Sequence, residues 1–153
     1  MNKKVKICFP SSSGGHLTQL YALKPWWSSF DRVWVTFNKE DTRSLLKDEK
    51  TVFCFYPTHR NMVNLIRNAF LAFKVLWKER PNVIVSTGGG IAVPFFYIGK
   101  LFGCKLIYIE VYDRIDSPTL TGKIVYPVTD KFLVQWEEQK KYYPKGELWG
   151  QAI

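Results

Sequence analysis

Two glycine-containing loops in this chain of 153 residues have the composition of an anion-binding site. The first reads Ser11-Ser-Ser-Gly-Gly15-His16 and lies between an apolar run and a helical pattern. Glycines let a backbone approach a ligand closely, and free N–H groups at a helix N-terminus attract phosphate. We therefore predict a diphosphate-binding loop at Ser13, Gly14, Gly15 and His16, with a mere tight turn as the alternative. His16 is a candidate general base or phosphate contact, unless it is only bonded locally at the start of its helix.

The first loop has neither the GxGxxG nor the Walker A spacing. Two further loops could complete a site. In the second loop, Gly88, Gly89 and Gly90 predict another anion-binding nest. The third loop begins with Glu110, a second candidate proton acceptor, and ends with Arg114, a candidate phosphate contact. The alternative is a surface ion pair of Arg114 with Glu110 or its neighbour Asp113. No His/Asp/Glu cluster or DxD-like pair lies beside a glycine loop, so we expect no metal ion. We also expect no cofactor.

Apolar runs that alternate with helical patterns must position these loops. Strands are predicted at 5–9, 33–37, 52–56, 82–86, 105–110, 131–134 and 147–149. Helices are predicted at 16–28, 42–50, 61–79, 92–102, 119–127 and 137–142. This alternation indicates an α/β fold: a single Rossmann-like domain over residues 1–153, with a parallel sheet and helices on both faces. Ligands of such sheets bind beyond the carboxyl ends of the strands, where all three loops lie.

The composition is basic and contains three isolated cysteines. A net charge of +9, from 22 Lys and Arg against 13 Asp and Glu, fits an anionic partner, although a solvated basic surface is the alternative. Cys8, Cys54 and Cys104 have no metal-ligand or disulfide spacing, so we expect buried thiols in a reducing cytoplasm. The N-terminal apolar run is too short for a signal peptide, and no stretch reaches the ~18 apolar residues that span a bilayer.

The predicted helix at 61–79 is both amphipathic and basic. Its apolar face comprises Met62, Val63, Ile66, Ala69, Phe70, Phe73, Leu76 and Trp77. Periodicity alone favours a core-packed helix with a basic outer face, but Leu71 and Val75 within the polar side favour contact with lipid or a partner. We therefore predict peripheral contact with an anionic membrane, made by Arg60, Arg67, Phe70, Phe73, Lys74, Trp77 and Lys78.

The order of the motifs Ser-Gly-Gly-His, Thr-Gly-Gly-Gly and Ile-Tyr-Ile-Glu resembles the N-terminal domain of a GT-B glycosyltransferase. That enzyme adds N-acetylglucosamine to lipid I in peptidoglycan synthesis. The stretches YIEVYDR (108–114), LTGKIVY (120–126) and DKFLVQW (130–136) are similar to a family in which this domain is a separate chain. The family contains the accessory, membrane-recruiting subunit of the transferase that makes lipid-linked chitobiose, and bacterial capsule and exopolysaccharide enhancer proteins.

The resemblance implies the acceptor-binding half of a two-chain UDP-sugar transferase, acting at the cytoplasmic face of a membrane. A donor-binding partner would hold the UDP-sugar, while Gly14, Gly15 and His16 face the diphosphate of a lipid-linked saccharide acceptor. Gly88 to Gly90 and Glu110 would complete the cleft, with Arg114 beside it. A GT-B enzyme needs two Rossmann-like domains and this length provides one, so we expect the chain alone to be inactive. The sequence lacks the N-terminal transmembrane anchor of eukaryotic members, so we expect recruitment through its basic aromatic surface or its partner.

Two other functions stay open. A Rossmann enzyme with a nucleotide cofactor would need an acidic residue at the end of the second strand, where the sequence has Asn38 and Lys39 and places Glu40 one step late. A nucleic-acid-binding module would need stacking aromatics along a basic stripe, whereas many aromatics here lie in predicted strands and helix cores. We therefore expect no nucleic-acid partner.

Overall fold

A computed structural model describes residues 4–150, which form a seven-stranded parallel sheet flanked by helices. The strands are β1 (Lys6–Pro10), β2 (Asp31–Phe37), β3 (Thr51–Cys54), β4 (Val83–Ser86), β5 (Lys105–Ile109), β6 (Lys131–Val134) and β7 (Glu147–Leu148). The helices are α1 (Gly15–Ala22), α2 (Lys24–Trp27), α3 (Glu40–Leu45), α4 (Met62–Glu79), α5 (Ala92–Leu101) and α6 (Leu120–Val125). Short 3-10 turns occupy Tyr126–Val128 and Glu137–Lys141. The predicted fold class is confirmed.

The strand order β3-β2-β1-β4-β5-β6-β7 places the two glycine loops side by side. β1 pairs with β2 on one side and with β4 on the other, so the winding direction of the sheet changes between β1 and β4. Open parallel sheets bind ligands at such a switch point, beyond the carboxyl ends of the strands. The loops after β1 and β4 are the two predicted glycine loops.

Alternate side chains of the strands pack into two separate cores, one on each face of the sheet. In β1, Cys8 packs into a core with α4 and α5, whereas Phe9 packs into a core with α1 and α2. The Phe9 ring stacks on Trp34 with centroids 4.5 Å apart, and Trp27 packs edge-on against Trp34 at 5.3 Å. These cores hold both ends of each glycine loop on rigid elements.

Several predicted elements have different bounds in the structure. The predicted helix at 16–28 is broken after Ala22 into α1 and α2, because Pro25 lacks an N–H and its ring clashes with the carbonyl four residues earlier. The predicted strand at 52–56 ends at Cys54, because the Asn68 side chain takes both backbone groups of Phe55. The predicted helix at 42–50 begins at Glu40 and ends at Leu45.

The three cysteines are free and buried, as predicted. Burial raises the pKa of each thiol, that of Cys54 to about 12, so all three are protonated at neutral pH. Within residues 4–150, no helix is both long enough and apolar enough to cross a bilayer.

Candidate functional site

His16 joins the two glycine loops at the start of α1. Its Nδ1 lies 3.0 Å from the carbonyl oxygen of Thr87, and the Thr87 hydroxyl donates to the His16 carbonyl at 2.6 Å. A carbonyl can only accept, so in the neutral imidazole Nδ1 carries the proton and Nε2 keeps its lone pair. The ring is only partly buried. The structure therefore presents an oriented imidazole whose Nε2 could accept a proton, which supports the predicted role of His16 as a general base.

The first glycine loop leaves its backbone open. No side chain caps the N-terminus of α1, where Gly14 has φ +78°. A Cβ added at Gly14 or Gly15 would meet no protein atom within 4 Å. The amide groups of this turn are thus accessible to a ligand, as an anion-binding helix N-terminus requires. Ser13 lies beside them and is partly exposed.

The second loop is glycine-rich because it packs tightly against its neighbours. A Cβ at Gly88, where φ is +123°, would lie 2.7 Å from the Tyr108 hydroxyl and 3.0 Å from the His16 ring. A Cβ at Gly89 would overlap the Ser12 side chain, and one at Gly90 would lie 2.8 Å from the hydroxyl of Thr58. These contacts show close approach of the protein to itself. Whether the loop also contacts a ligand stays a prediction.

Glu110 is closed off from solvent, which argues against its predicted role as a proton acceptor. The side chain is fully buried, and its carboxylate accepts from the Tyr143 hydroxyl at 2.5 Å and from the Val111 amide at 3.0 Å. The hydroxyl of Thr119 also donates to it, at 2.9 Å, and so does the Thr119 amide, at 3.2 Å. Burial, together with the hydrogen bond to this carboxylate, raises the pKa of Tyr143. A carboxylate held in this way positions the loop between β5 and α6 rather than meeting a substrate.

Arg114 lies on that loop with an exposed side chain. The predicted alternative, an ion pair with Glu110 or Asp113, does not form, and the described part of the chain gives Arg114 no other carboxylate partner. The loop backbone is held by the buried Gln139 amide, which donates to the carbonyls of Arg114 at 2.8 Å and of Val111 at 3.1 Å. These two contacts of the Gln139 side chain had no sequence signal, because the carbonyls that accept them lie 25 and 28 residues away.

The outer face of α4 is apolar, which corrects the predicted orientation of this helix. The expected core-facing set is mostly exposed: Met62 is 68% exposed, Ile66 55% and Phe70 74%. The side that packs on the sheet instead carries the buried residues Asn64, Asn68, Ala72, Val75, Leu76 and Glu79. Val75 and the partly buried Leu71 therefore contact the core rather than interrupt a free polar face.

The predicted membrane residues lie on the exposed side of α4. Phe73 and Trp77 stack with centroids 6.2 Å apart, and both rings meet Phe102 edge-on. Arg67, Lys74 and Lys78 form a basic row along one edge of the apolar face, and Arg60 precedes the helix with its side chain exposed. We call Met62, Val63, Ile66, Phe70, Phe73 and Trp77 the outer apolar face.

A second apolar surface lies on the opposite face of the sheet. A groove of about 300 Å³ runs beside β5, β6 and β7 and is lined by Leu23, Trp26, Ile107, Leu133, Leu148 and Trp149, among others. Trp26 and Trp149 are nearly half exposed. Across residues 4–150, no three His, Cys, Asp or Glu side chains come together as metal ligands.

Comparison with known proteins identifies the family. Residues 57–152, well over half of the chain, match the family model "Oligosaccharide biosynthesis protein Alg14 like". The chain belongs to the Alg14-like family. The UDP-N-acetylglucosamine transferase subunit ALG14 of Candida albicans is 40% identical over 82 residues, which cover 50% of this chain and 37% of that protein. The human subunit of the same name is 22% identical over an alignment covering 99% of this chain and 84% of that protein.

Among solved structures, Acinetobacter baumannii MurG superimposes with a TM-score of 0.73 at 15% identity, covering 88% of this chain but only 42% of that chain. At this identity the likeness shows the fold alone. The fold is the Rossmann-like N-terminal half of a GT-B glycosyltransferase, as predicted. The named relatives are UDP-N-acetylglucosamine transferase subunits, and the expected membership of the family that contains them is confirmed.

Proposed function

We propose that this chain is the acceptor-side subunit of a two-chain UDP-sugar glycosyltransferase that extends a lipid-diphosphate-linked saccharide. The observation that carries the proposal is the junction of the two glycine loops at the sheet's switch point. There His16 is oriented by Thr87, next to the open backbone of Gly14 and Gly15. Backbone amides at a helix N-terminus suit the diphosphate, and the partly exposed imidazole suits a proton acceptor.

The reaction would proceed by attack of an acceptor hydroxyl on the anomeric carbon of the UDP-sugar. The new bond joins the acceptor oxygen to that carbon, while the bond from the carbon to the UDP oxygen breaks and UDP leaves with the electron pair. His16 Nε2 would take the proton of the attacking hydroxyl, because Nδ1 is already committed to Thr87. Glu110 would hold the loop that carries Arg114, leaving the guanidinium free to contact a phosphate.

The donor-binding partner would dock on the groove beside β5 to β7. Matched solved structures of this fold are more than twice as long as the aligned chain, and the named relatives are subunits. An uncovered apolar groove with two half-exposed tryptophans is the kind of surface that an obligate partner covers.

The outer apolar face of α4 with its basic row supports peripheral attachment to the cytoplasmic face of an anionic membrane. A helix with exposed aromatics on one side and Lys and Arg beside them lies in the interface between head groups and acyl chains. Its position on the same domain as the glycine loops suits a lipid-linked acceptor. The saccharide context, capsule or exopolysaccharide synthesis, is supported by sequence resemblance alone.

Partner dependence tests the proposal. The purified chain should transfer no sugar from UDP-N-acetylglucosamine to a lipid-diphosphate-linked saccharide, and transfer should appear when the donor-binding chain is added. Trp149→Glu should weaken that association, because it puts a charge in the groove, whereas the exposed Tyr97→Glu on the other sheet face serves as its matched control. Rapid transfer by the chain alone would contradict the subunit function.

A further inference from the structure

The side of α4 that faces the sheet carries two buried asparagines, Asn64 and Asn68, which are 7% and 1% exposed. Burying an amide without partners is costly, so these residues need a structural reason. Asn68 accepts from the Phe55 amide at 2.9 Å and donates to the Phe55 carbonyl at 3.0 Å. Asn64 donates to the Pro57 carbonyl at 2.8 Å. These hydrogen bonds hold the segment 55–60 against the helix.

The segment 55–60 lies directly against the second glycine loop. The Thr58 side chain is so close to Gly90 that a Cβ there would lie 2.8 Å from its hydroxyl. Across residues 4–150 the Thr58 hydroxyl has no hydrogen-bond partner, and it is only partly buried. It is therefore a free donor and acceptor beside the predicted diphosphate loop.

The same segment carries an exposed aromatic ring, and a cation lies over that ring. Tyr56 is 61% exposed and packs edge-on against Phe37, with centroids 5.0 Å apart. The Lys39 ammonium sits 4.5 Å from the centre of the Tyr56 ring. Arg60 turns the chain into α4 with φ +48°, a conformation that is uncommon outside glycine. Sugar-phosphate ligands are recognised by this combination of an apolar ring, a hydroxyl and positive charge.

We infer that residues 56–60, together with Lys39, form a third wall of the acceptor site that binds the phosphosaccharide end of the acceptor. Thr58 would hydrogen-bond the diphosphate or the first sugar, Tyr56 would pack against the sugar ring, and Lys39 would offset the phosphate charge. Asn64 and Asn68 are positioning residues that act through this segment. The inference rests on the proposed function and adds to it the residues that select the sugar-phosphate part of the substrate.

The test uses a water-soluble probe, farnesyl diphosphate linked to N-acetylglucosamine, titrated into the purified chain by calorimetry. Farnesyl diphosphate and free N-acetylglucosamine are the comparison ligands, which separate the diphosphate contribution from that of the sugar. Thr58→Ala and Tyr56→Ala should each raise the Kd of the linked probe by about tenfold, the size of one lost polar or packing contact. Tyr56→Ala should leave the Kd of farnesyl diphosphate nearly unchanged. Leu101→Ala, which removes an apolar side chain that is 87% exposed at the end of α5, is the matched control and should change neither Kd.

A double-mutant cycle separates positioning from general loss of stability. Asn68→Ala should raise the probe Kd, and adding Asn68→Ala to the Tyr56→Ala/Thr58→Ala variant should have little further effect, because Asn68 acts through these residues. Full additivity would overturn the positioning role. If Gly15→Ala weakens the probe but Tyr56→Ala and Thr58→Ala do not, this inference is wrong while the proposed function stands. If the unmutated chain binds neither diphosphate ligand, the proposed function itself fails.

Discussion

Reversing the charge of the basic row on α4 gives a direct test of membrane contact. The variant replaces Arg67, Lys74 and Lys78 with glutamate. All three side chains are exposed and lie away from the side of α4 that packs on the sheet, so the fold should persist. Membrane binding should fall because anionic lipids would then be repelled from the edge of the outer apolar face.

The size of the effect follows from the exposed groups. A basic residue near an anionic membrane contributes about 1 kcal/mol, so losing three attractions lowers the partition coefficient about a hundredfold, and the new glutamates add repulsion. The aromatic contribution is separate: Phe70, Phe73 and Trp77 are 74%, 52% and 59% exposed. With roughly 200 Å² per ring and ~25 cal/mol per Å², burying the exposed part of one ring stabilises attachment by about 3–4 kcal/mol. Only the first contribution is screened by salt.

Co-sedimentation with phosphatidylglycerol-containing vesicles, at about 0.1 M and about 1 M salt, separates the two contributions. The charge-reversal variant should lose the binding that is seen only at low salt. A Phe70→Ser/Phe73→Ser/Trp77→Ser variant should lose the binding that remains at high salt. Lys24→Glu/Lys47→Glu/Lys145→Glu is the matched control, since it makes the same change in net charge at exposed positions on other surfaces. If the control loses binding as fully as the α4 variant, the attraction comes from net charge and not from this helix. If the α4 variant sediments like the unmutated chain, the reasoning is refuted.

Three further predictions concern the site and the fold. Gly15→Ala should raise the acceptor KM with little change in melting temperature, because the added methyl meets no protein atom but obstructs the open amides. An unchanged KM would mean that the diphosphate does not bind at this loop. His16→Ala should lower kcat of the two-chain enzyme by ~10²–10⁴-fold, and a normal kcat would leave His16 as a turn residue only. Burial alone would raise the pKa of Glu79, but hydrogen bonds from Lys50 and Lys6 outweigh it and lower that pKa below 4.5. The stability that this group contributes above pH 4.5 is therefore lost as the pH falls through the lowered pKa, and urea midpoints measured from pH 7 to 3 should fall less for Glu79→Gln; identical profiles would contradict this.

The strands and the glycine loops were predictable because their signals are local. Short apolar runs mark most of the strands, and glycines between a strand and a helix mark the loops. The break between α1 and α2 also had a local signal, Pro25, which the interpretation of 16–28 as one helix overlooked. Local patterns therefore account for the element order and for two of the three candidate loops.

The orientation of α4 could not be predicted from periodicity, because periodicity shows that a helix has two faces but not which one packs on the sheet. Its inner side mixes the small Ala72 and apolar Leu76 with Asn64 and Asn68, whose partners are backbone groups of a loop. Two asparagines four residues apart on one side of the helix were the available signal. The burial of Glu110 was equally hidden, since Tyr143 lies 33 residues further along the chain.

In the proposed function, the orientation of α4 would link the acceptor site to the membrane. The helix begins just after the segment that packs on Gly90 and, at 1.5 Å per residue, runs roughly 27 Å toward the opposite edge of the sheet. Its outer apolar face starts at Met62, four residues after Thr58, and extends to Trp77. Withdrawing a lipid chain into water costs about 0.8 kcal/mol per CH₂, so a cleft far from the bilayer could not use a long-chain acceptor. In the proposed function, a helix resting on the membrane along this face would keep the acceptor site near the head groups, so that the diphosphate could be bound while the lipid chain stays in the bilayer.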